Sequence, residues 1–255
     1  MLRALIFDVD GTLADTESAH REAFNEAFLA AKLDWYWDED LYTQLLDISG
    51  GKERILHFWR GFEPHEAQSA GGRESIARLH SEKTRIYEAK ISGGRLRLRP
   101  GVLRLVHEAA AQRVLLAIAT TTTPANIDAL LRAPLGAGWR DYFAAVADAA
   151  TAERKKPDPQ AYEQVLQTLK LEAADCLALE DSLNGLRAAR EAAIPVIITP
   201  TAFTRMQDFS DALLVLPHLG DPDQPMPQWI AGMSHCWVDL AALRSWHGGT
   251  LFESA

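Results

Sequence analysis

Two aspartates separated by one residue, Asp8 and Asp10, stand where an apolar run ends and Gly11-Thr12 begins. The run from Leu2 to Phe7, broken only by Arg3, has the make-up of a buried strand in a parallel sheet. Side chains two apart on a strand point to the same side, so both carboxylates can leave the strand end together. In an open α/β sheet ligands sit at the carboxyl ends of the strands, and a glycine there lets the backbone approach closely. One acid of such a pair can attack an electrophile while the other gives and takes a proton. Taken alone, the stretch also fits a turn or a set of loop calcium ligands, so the rest of the chain must decide.

Three later stretches carry complementary groups. The apolar run Leu115–Ala119 ends in Thr120-Thr121-Thr122-Thr123, Lys155-Lys156-Pro157 precedes a helical pattern, and Cys176–Leu179 ends in Glu180-Asp181-Ser182. Right-handed crossovers place all of these on one edge of one sheet. Acids, hydroxyls and a cation at successive strand ends form a far more specific pattern than any of them alone.

The elements that must position these groups follow from periodicity. Phe24 and Phe28 repeat at i, i+4 behind an acidic first turn, and the pattern stays helical from about residue 17 to 90. Breaks are expected at Gly50-Gly51 and Gly71-Gly72, with Gly93-Gly94 closing the segment; the rings at Trp35-Tyr36-Trp37 read as core or as packing between domains. From Pro100 helices and strands alternate: helix 102–112, strand 114–119, helix 126–131, strand 143–146, helix 159–169, strand 176–179, helix 184–193 and strand 195–199. Such alternation predicts an α/β fold, a doubly wound parallel-sheet Rossmann-like core with a small α-helical cap inserted after the first strand. The expected division is a core of 1–15 and 95–216, a cap of 16–94 that can act as a lid, and an extension of 217–255 with no assignable role. Within that extension, 220–227 is too rich in Pro and Asp for a regular element, and Cys236–Trp246 suggests a strand and a helix.

Bulk properties narrow the classes. With 26 Lys and Arg against 35 Asp and Glu, the formal charge of −9 disfavours nucleic-acid or acidic-membrane binding, while a local cationic cleft can still take an anionic substrate. Two distant cysteines, Cys176 and Cys236, form no disulfide framework, zinc site or redox motif. Strand pattern begins almost at once, and no apolar run approaches the roughly 20 residues of a membrane span, so a cytoplasmic location is expected. The oligomeric state is left open.

Asp8-Val9-Asp10-Gly11-Thr12, Thr120, Lys156-Pro157 and Glu180-Asp181, together with the helical insert, resemble the motifs and cap of the haloacid dehalogenase-like hydrolases over residues 1 to about 212. The resemblance implies an enzyme that forms an aspartyl-phosphate on Asp8. Asp10 would act as general acid and base, Thr120 would hold phosphoryl oxygens, and Lys156 would neutralise charge. It further implies Mg²⁺ on oxygens from Asp8, the Asp10 carbonyl and Asp181, with Glu180 nearby. Lys155 reads as solvated. Branches of the family that are not phosphatases or mutases lack an acid at the second position, so Asp10 points to a phosphatase or phosphomutase.

Cap stretches sharpen the resemblance. Asp15–Arg21, Asp34–Trp37, Ser49–Ile55 and Glu180–Ala189 are similar to the family's sugar-bisphosphate phosphatases, which implies xylulose 1,5-bisphosphate as substrate and xylulose 5-phosphate as product. The same region is similar to the β-phosphoglucomutases, although Thr123-Pro124 stands where those carry a lysine. A phosphorylated sugar therefore becomes the expected small-molecule partner. Candidates to bind its second phosphate are Lys52, Arg54, Lys83 and Arg85, with Gly50, Gly51, Thr121, Thr122, Asn126 and Asn184; Glu17 and His20 are candidates for its hydroxyls. The alternatives are a mutase, a broad sugar-phosphate phosphatase, and a non-catalytic binding module on the same fold.

Overall fold

Four wholly buried residues, Ala4–Phe7, form β1 at the centre of a six-stranded parallel sheet. The structure, a computed structural model of the chain, describes residues 1–92 and 96–249. The other strands are β2 (Leu115–Ala119), β3 (Ala145–Ala147), β4 (Cys176–Glu180), β5 (Val196–Ile198) and β6 (Leu214–Val215), in the order β3-β2-β1-β4-β5-β6. All neighbours run parallel.

Period-2 alternation divides the sheet's side chains between two cores. Leu5, Phe7, Leu116, Ile118, Leu177 and Leu179 face one core, which also takes in residues of α6 (Val102–Ala111) and α7 (Pro124–Leu135). Ala4, Ile6, Ala117, Ala119 and Ala178 face the other, against α8 (Gln160–Leu169) and α9 (Leu183–Glu191). The small residues on this second face let the helices pack closely. Both faces are covered, as an all-parallel sheet requires.

Register sets the site. Phe7 lies opposite Ile118 of β2 and Leu179 of β4. The next residue of each strand path, Asp8, Ala119 and Glu180, therefore sits level with the others at the carboxyl edge. Helices following that edge begin with side-chain caps: Thr123 accepts from the Asn126 amide and Ser182 from the Gly185 amide.

Between β1 and α6 the described residues form five helices: α1 (Glu17–Ala30), α2 (Glu39–Leu45), α3 (Gly51–Arg60), α4 (Pro64–Gln68) and α5 (Ala70–Ser92). Their shared core is aromatic, with Phe24, Phe28, Trp37, Tyr42 and Trp59 buried together. Phe203, from beyond β5, joins this cluster edge-on to Tyr42 at 5.8 Å. The Trp35–Trp37 stretch splits: Trp37 is fully buried and Tyr36 is exposed.

Two sequence expectations change. Gly71-Gly72 does not break the chain but lies inside α5, whose start falls at Ser69; the Ser69 hydroxyl accepts from the Gly72 amide and supplies the cap. The expected closure at Gly93-Gly94 lies outside the described residues. Near Cys236 there is no strand among the described residues, only isolated backbone bonds from Met226 to Cys236 and from Val238 to Leu219, followed by α10 (Leu240–His247). The sequence reading also missed β6, which at two residues is too short to show a period. The described residues beyond β6 pack onto the sheet: Leu219, Met226, Met233, Leu243 and Trp246 complete the first core. No helix among the described residues is long and apolar enough to cross a membrane.

Candidate active site

Asp8, Ala119 and Glu180 form a row of oxygens on three adjacent strands, and Lys156 reaches across it. The Lys156 Nζ donates to Asp8 Oδ1 at 2.6 Å, to Glu180 Oε1 at 2.5 Å and to the Ala119 carbonyl at 2.8 Å. Three acceptors saturate an ammonium group. Tyr162 donates a further 2.7 Å bond to Glu180 Oε1. Burial favours the neutral lysine, but Asp8 and Glu180 outweigh it and raise the Lys156 pKa, so the cation persists. At Asp8, burial and the charges of Glu180 and Asp10 win over Lys156 and push the carboxyl up to about 7.

Asp181 lies beside this row. The Thr12 hydroxyl is 3.5 Å from Asp181 Oδ1, and Gly11, with φ of 83°, leaves room for the carboxylate where a Cβ would come within 2.2 Å of it. Burial, then the charges of Glu180 and Asp8, raise the Asp181 carboxyl well above the usual range. The carboxylates of Asp8, Glu180 and Asp181 offer oxygens within 4.8 Å of one another. Three buried acids, two of them bridged by Lys156, make a donor set that fits a hard divalent cation. The Asp10 side chain is not in that set; only its backbone carbonyl remains as the expected ligand.

Asp10 instead turns toward the helices. Thr16 donates to Asp10 Oδ1 at 2.8 Å, and His20 Nε2 lies 3.0 Å from the same oxygen. Lys83 Nζ is 2.6 Å from His20 Nδ1. An ammonium can only donate, so Nδ1 accepts, Nε2 carries the proton, and His20 hands that N–H to Asp10. The neutral ring agrees with its surroundings, since burial and Lys83 lower the His20 pKa against the pull of Asp10. Tyr87 stacks on the ring at 3.8 Å and holds its plane. At Asp10, burial is overcome by His20, Thr16 and Lys83, which keep the carboxyl at about 2.

Across an open cleft of about 1030 Å³ the helical insert faces this edge. Glu17, Gly50, Gly51 and Arg54 line it from the insert, as do Thr120, Thr121, Thr122, Asn126 and Asn184 from the core. Glu17 accepts from the Tyr42 hydroxyl at 2.7 Å, which in turn accepts from Arg54 at 3.1 Å. Arg54 gives two further N–H groups to the carbonyls of Leu45 and Ile48, three of its five donors in all. Asn184 ties the two halves together by donating to the Asp47 carbonyl at 3.0 Å. Thr120 is buried and accepts from the Thr122 amide, and the Asn126 amide donates to the Thr122 hydroxyl at 3.0 Å.

Two expected cleft residues are not brought into it. Arg85 is exposed and pairs with Glu82 at 2.6 Å, and Lys52 is exposed without lining the cleft. The reason is helical phase: residues two apart lie about 200° apart around the axis. Lys83 points inward from α5 and turns Arg85 out, and Arg54 does the same to Lys52 on α3. A third change concerns Lys155, read as solvated: it is partly buried, lines the cleft and donates to Glu53 Oε2 at 2.7 Å. Sequence reasoning also missed Thr16, Tyr42, His80 and Tyr162. Only Thr16, close to the acid pair in sequence, carried any signal.

A row of buried acids crossed by one lysine, at the carboxyl edge of a parallel sheet and beneath a helical insert, defines an enzyme of the parallel α/β class with a site suited to anionic esters. The profile of haloacid dehalogenase-like hydrolases matches residues 2–193, and the chain belongs to that family. The plasmid-encoded CbbY protein of Cupriavidus necator is 59% identical over 253 residues, spanning 99% of this chain and 100% of the relative. A crystal structure of CbbY from Rhodobacter sphaeroides, a mutant in complex with xylulose-(1,5)bisphosphate, superposes with a TM-score of 0.79 at 42% identity, covering 86% of this chain and 95% of the other. A β-phosphoglucomutase structure from Clostridium difficile reaches a TM-score of 0.69 at 25% identity, over 85% and 91% of the two chains. The enzyme is a phosphatase of this family.

Proposed function

We propose that the enzyme is a Mg²⁺-dependent sugar-bisphosphate phosphatase that converts xylulose 1,5-bisphosphate and water to xylulose 5-phosphate and inorganic phosphate. The observation that carries this reading is the pairing of Asp8, crossed by Lys156 at 2.6 Å, with Asp10, held by a separate hydrogen-bond relay. One acid is placed for attack and the other for proton transfer. The ligand in the Rhodobacter sphaeroides relative supports the choice of sugar.

In the first step an Asp8 oxygen bonds to phosphorus, the bond from phosphorus to the sugar oxygen breaks, and Asp10 supplies a proton to that oxygen. In the second, water attacks the aspartyl-phosphate, its proton passes to Asp10, and phosphate leaves with Asp8 restored. Thr16 and His20 hold Oδ1 of Asp10, which leaves Oδ2 for the proton. A phosphoryl anion beside Asp10 raises its proton affinity from the low value of the ligand-free site, which suits the acid role. Lys156 and Thr120 balance and hold the phosphoryl oxygens. Asp8, Glu180, Asp181 and the Asp10 carbonyl would hold Mg²⁺, which when bound offsets the charge on phosphate and carboxylates. We assign the core to 1–15 and 95–216, completed by apolar residues of the 217–249 stretch, and the insert to 16–94, the insert excluding water from the reaction.

The test is release of inorganic phosphate, with Mg²⁺ present, from xylulose 1,5-bisphosphate, sugar monophosphates and p-nitrophenyl phosphate. The expected result is a preference of about 100-fold or more in kcat/KM for the bisphosphate. Equal turnover across the panel would remove the bisphosphate assignment. Conversion of β-glucose 1-phosphate to glucose 6-phosphate without phosphate release would replace it with a mutase.

A further inference from the structure

A sugar bisphosphate carries a second phosphate that does not react, and the cleft must neutralise it away from Asp8. Most of the cations near the cleft are already committed. Lys156 serves Asp8 and Glu180, Lys83 serves His20, and Arg54 is anchored through three of its N–H groups to a tyrosine hydroxyl and two backbone carbonyls. Lys155 differs: it lines the cleft, it is half-buried, and its ammonium donates to a single carboxylate on an exposed residue, Glu53.

The surroundings of that ion pair are shaped for an anion. Gly50, with φ of 95°, lies directly beneath it: a Cβ there would come within 2.2 Å of Glu53 Oε2 and 2.4 Å of Lys155 Nζ. On the neighbouring Gly51 rests the His80 ring, with Nε2 only 2.6 Å from where a Cβ would stand. Burial and the charges of Lys83, Lys52 and Lys155 lower the His80 pKa to about 4, and Glu53 opposes them. The patch thus gathers positive charge around the Glu53 carboxylate. A phosphate dianion carries more charge than a carboxylate and competes well for the same ammonium donors.

We propose that Lys155, above the Gly50-Gly51 loop and beside His80, is the specificity-determining cation for the substrate's non-reacting phosphate, and that Glu53 is the internal anion this phosphate displaces. The inference rests on the sugar-bisphosphate reading and deepens it. Its consequence is that the two members of one ion pair act on substrate choice in opposite directions. A salt bridge that merely held the insert against the core would give both members the same sign.

The experiment measures the ratio of kcat/KM for xylulose 1,5-bisphosphate to that for p-nitrophenyl phosphate, in wild type, Lys155→Met, Lys155→Arg and Glu53→Gln. The ratio is expected to fall roughly 10- to 100-fold in Lys155→Met, mostly through KM, because a charge-assisted contact is lost. Lys155→Arg should restore most of it, and Glu53→Gln should raise it by about 3-fold, the scale of a half-exposed ion pair. Ratios that fall together in Lys155→Met and Glu53→Gln would overturn the assignment in favour of a closing contact. An unchanged ratio in Lys155→Met, with the wild-type preference for bisphosphate intact, would overturn it alone. A wild type with no such preference would remove the underlying reading and this assignment with it.

Discussion

The two walls of the cleft are built on different principles. On the strand-edge wall, Lys156 and Tyr162 meet Asp8, Ala119 and Glu180 at 2.5 to 2.8 Å, and Asp8, Lys156 and Glu180 are no more than 7% exposed. On the insert wall, Lys155 and Glu53 keep one half-exposed contact, and Arg54 and Glu17 meet through Tyr42. The first wall has been organised in advance, so little rearrangement is needed when charge develops during reaction. The second retains contacts that a ligand can exchange. On the proposed reading, chemistry is fixed by the sheet and selection is left to side chains that can change partners.

The largest expected effect breaks the first wall. Asp8→Asn preserves shape and removes the attacking charge, so kcat should fall by roughly 10⁴-fold or more, as for loss of a nucleophile in general. Circular dichroism and thermal unfolding should show a folded protein, since Lys156 keeps Glu180 and the Ala119 carbonyl as acceptors. Activity within tenfold of wild type would remove Asp8 from the reaction. Chelation comes next. Stripping divalent ions should cost roughly 10³-fold, corresponding to several kcal/mol of charge stabilisation, and added Mg²⁺ should restore it. Calorimetric titration of Mg²⁺ should show binding to wild type that is lost in Asp181→Asn; binding of equal strength in both would move the metal elsewhere.

The same contrast explains what could be read from the sequence. Strand ends are local: period 2 and a short apolar run put Asp8, Thr120 and Glu180 at strand ends, and parallel register sets Asp8 and Glu180 level with Ala119, one residue before Thr120. The insert wall depends on quantities that run along helices and between distant segments. Lys83 and Arg85 have similar chemistry, and only the phase of α5 against its neighbours decides that one is buried and the other exposed. Lys155 belongs to the core segment, yet its partner is on α3, a pairing over 102 residues that no local pattern announces. The residues after β6 were unreadable for a related reason. Their apolar side chains are scattered through a Pro-rich stretch, and they gain meaning only by filling the gap beside α6.

That extension gives a third, smaller effect, which separates stability from both walls. Trp246 is fully buried in the first core, and its indole N–H donates to the Ala231 carbonyl at 2.6 Å. Trp246→Ala should lower unfolding free energy by about 3–5 kcal/mol, the usual cost of emptying such a site. The kcat/KM for the bisphosphate, measured at a temperature where the variant is folded, should stay close to wild type. A loss of activity without a loss of stability would tie the extension to the cleft.

The smallest effects test the helical-phase argument directly. Lys52→Ala and Arg85→Ala remove two cations that composition alone would place in a phosphate site. Arg85 already has Glu82 as a surface partner, and an exposed pair of this kind contributes about 0–1 kcal/mol. Lys52 lies off the cleft and reaches it only through its field at His80, which solvent screens. Each variant should therefore keep kcat/KM for the bisphosphate within about 3-fold of wild type, with the Lys52→Ala change shrinking further at high salt. A tenfold rise in KM for the bisphosphate in either variant, with p-nitrophenyl phosphate unaffected, would show that the helix presents another face when substrate is bound. It would also move the second phosphate away from Lys155. If both effects are small while Lys155→Met is large, selection on the insert wall follows helical phase and the reach of a core lysine, rather than the number of charges the insert carries.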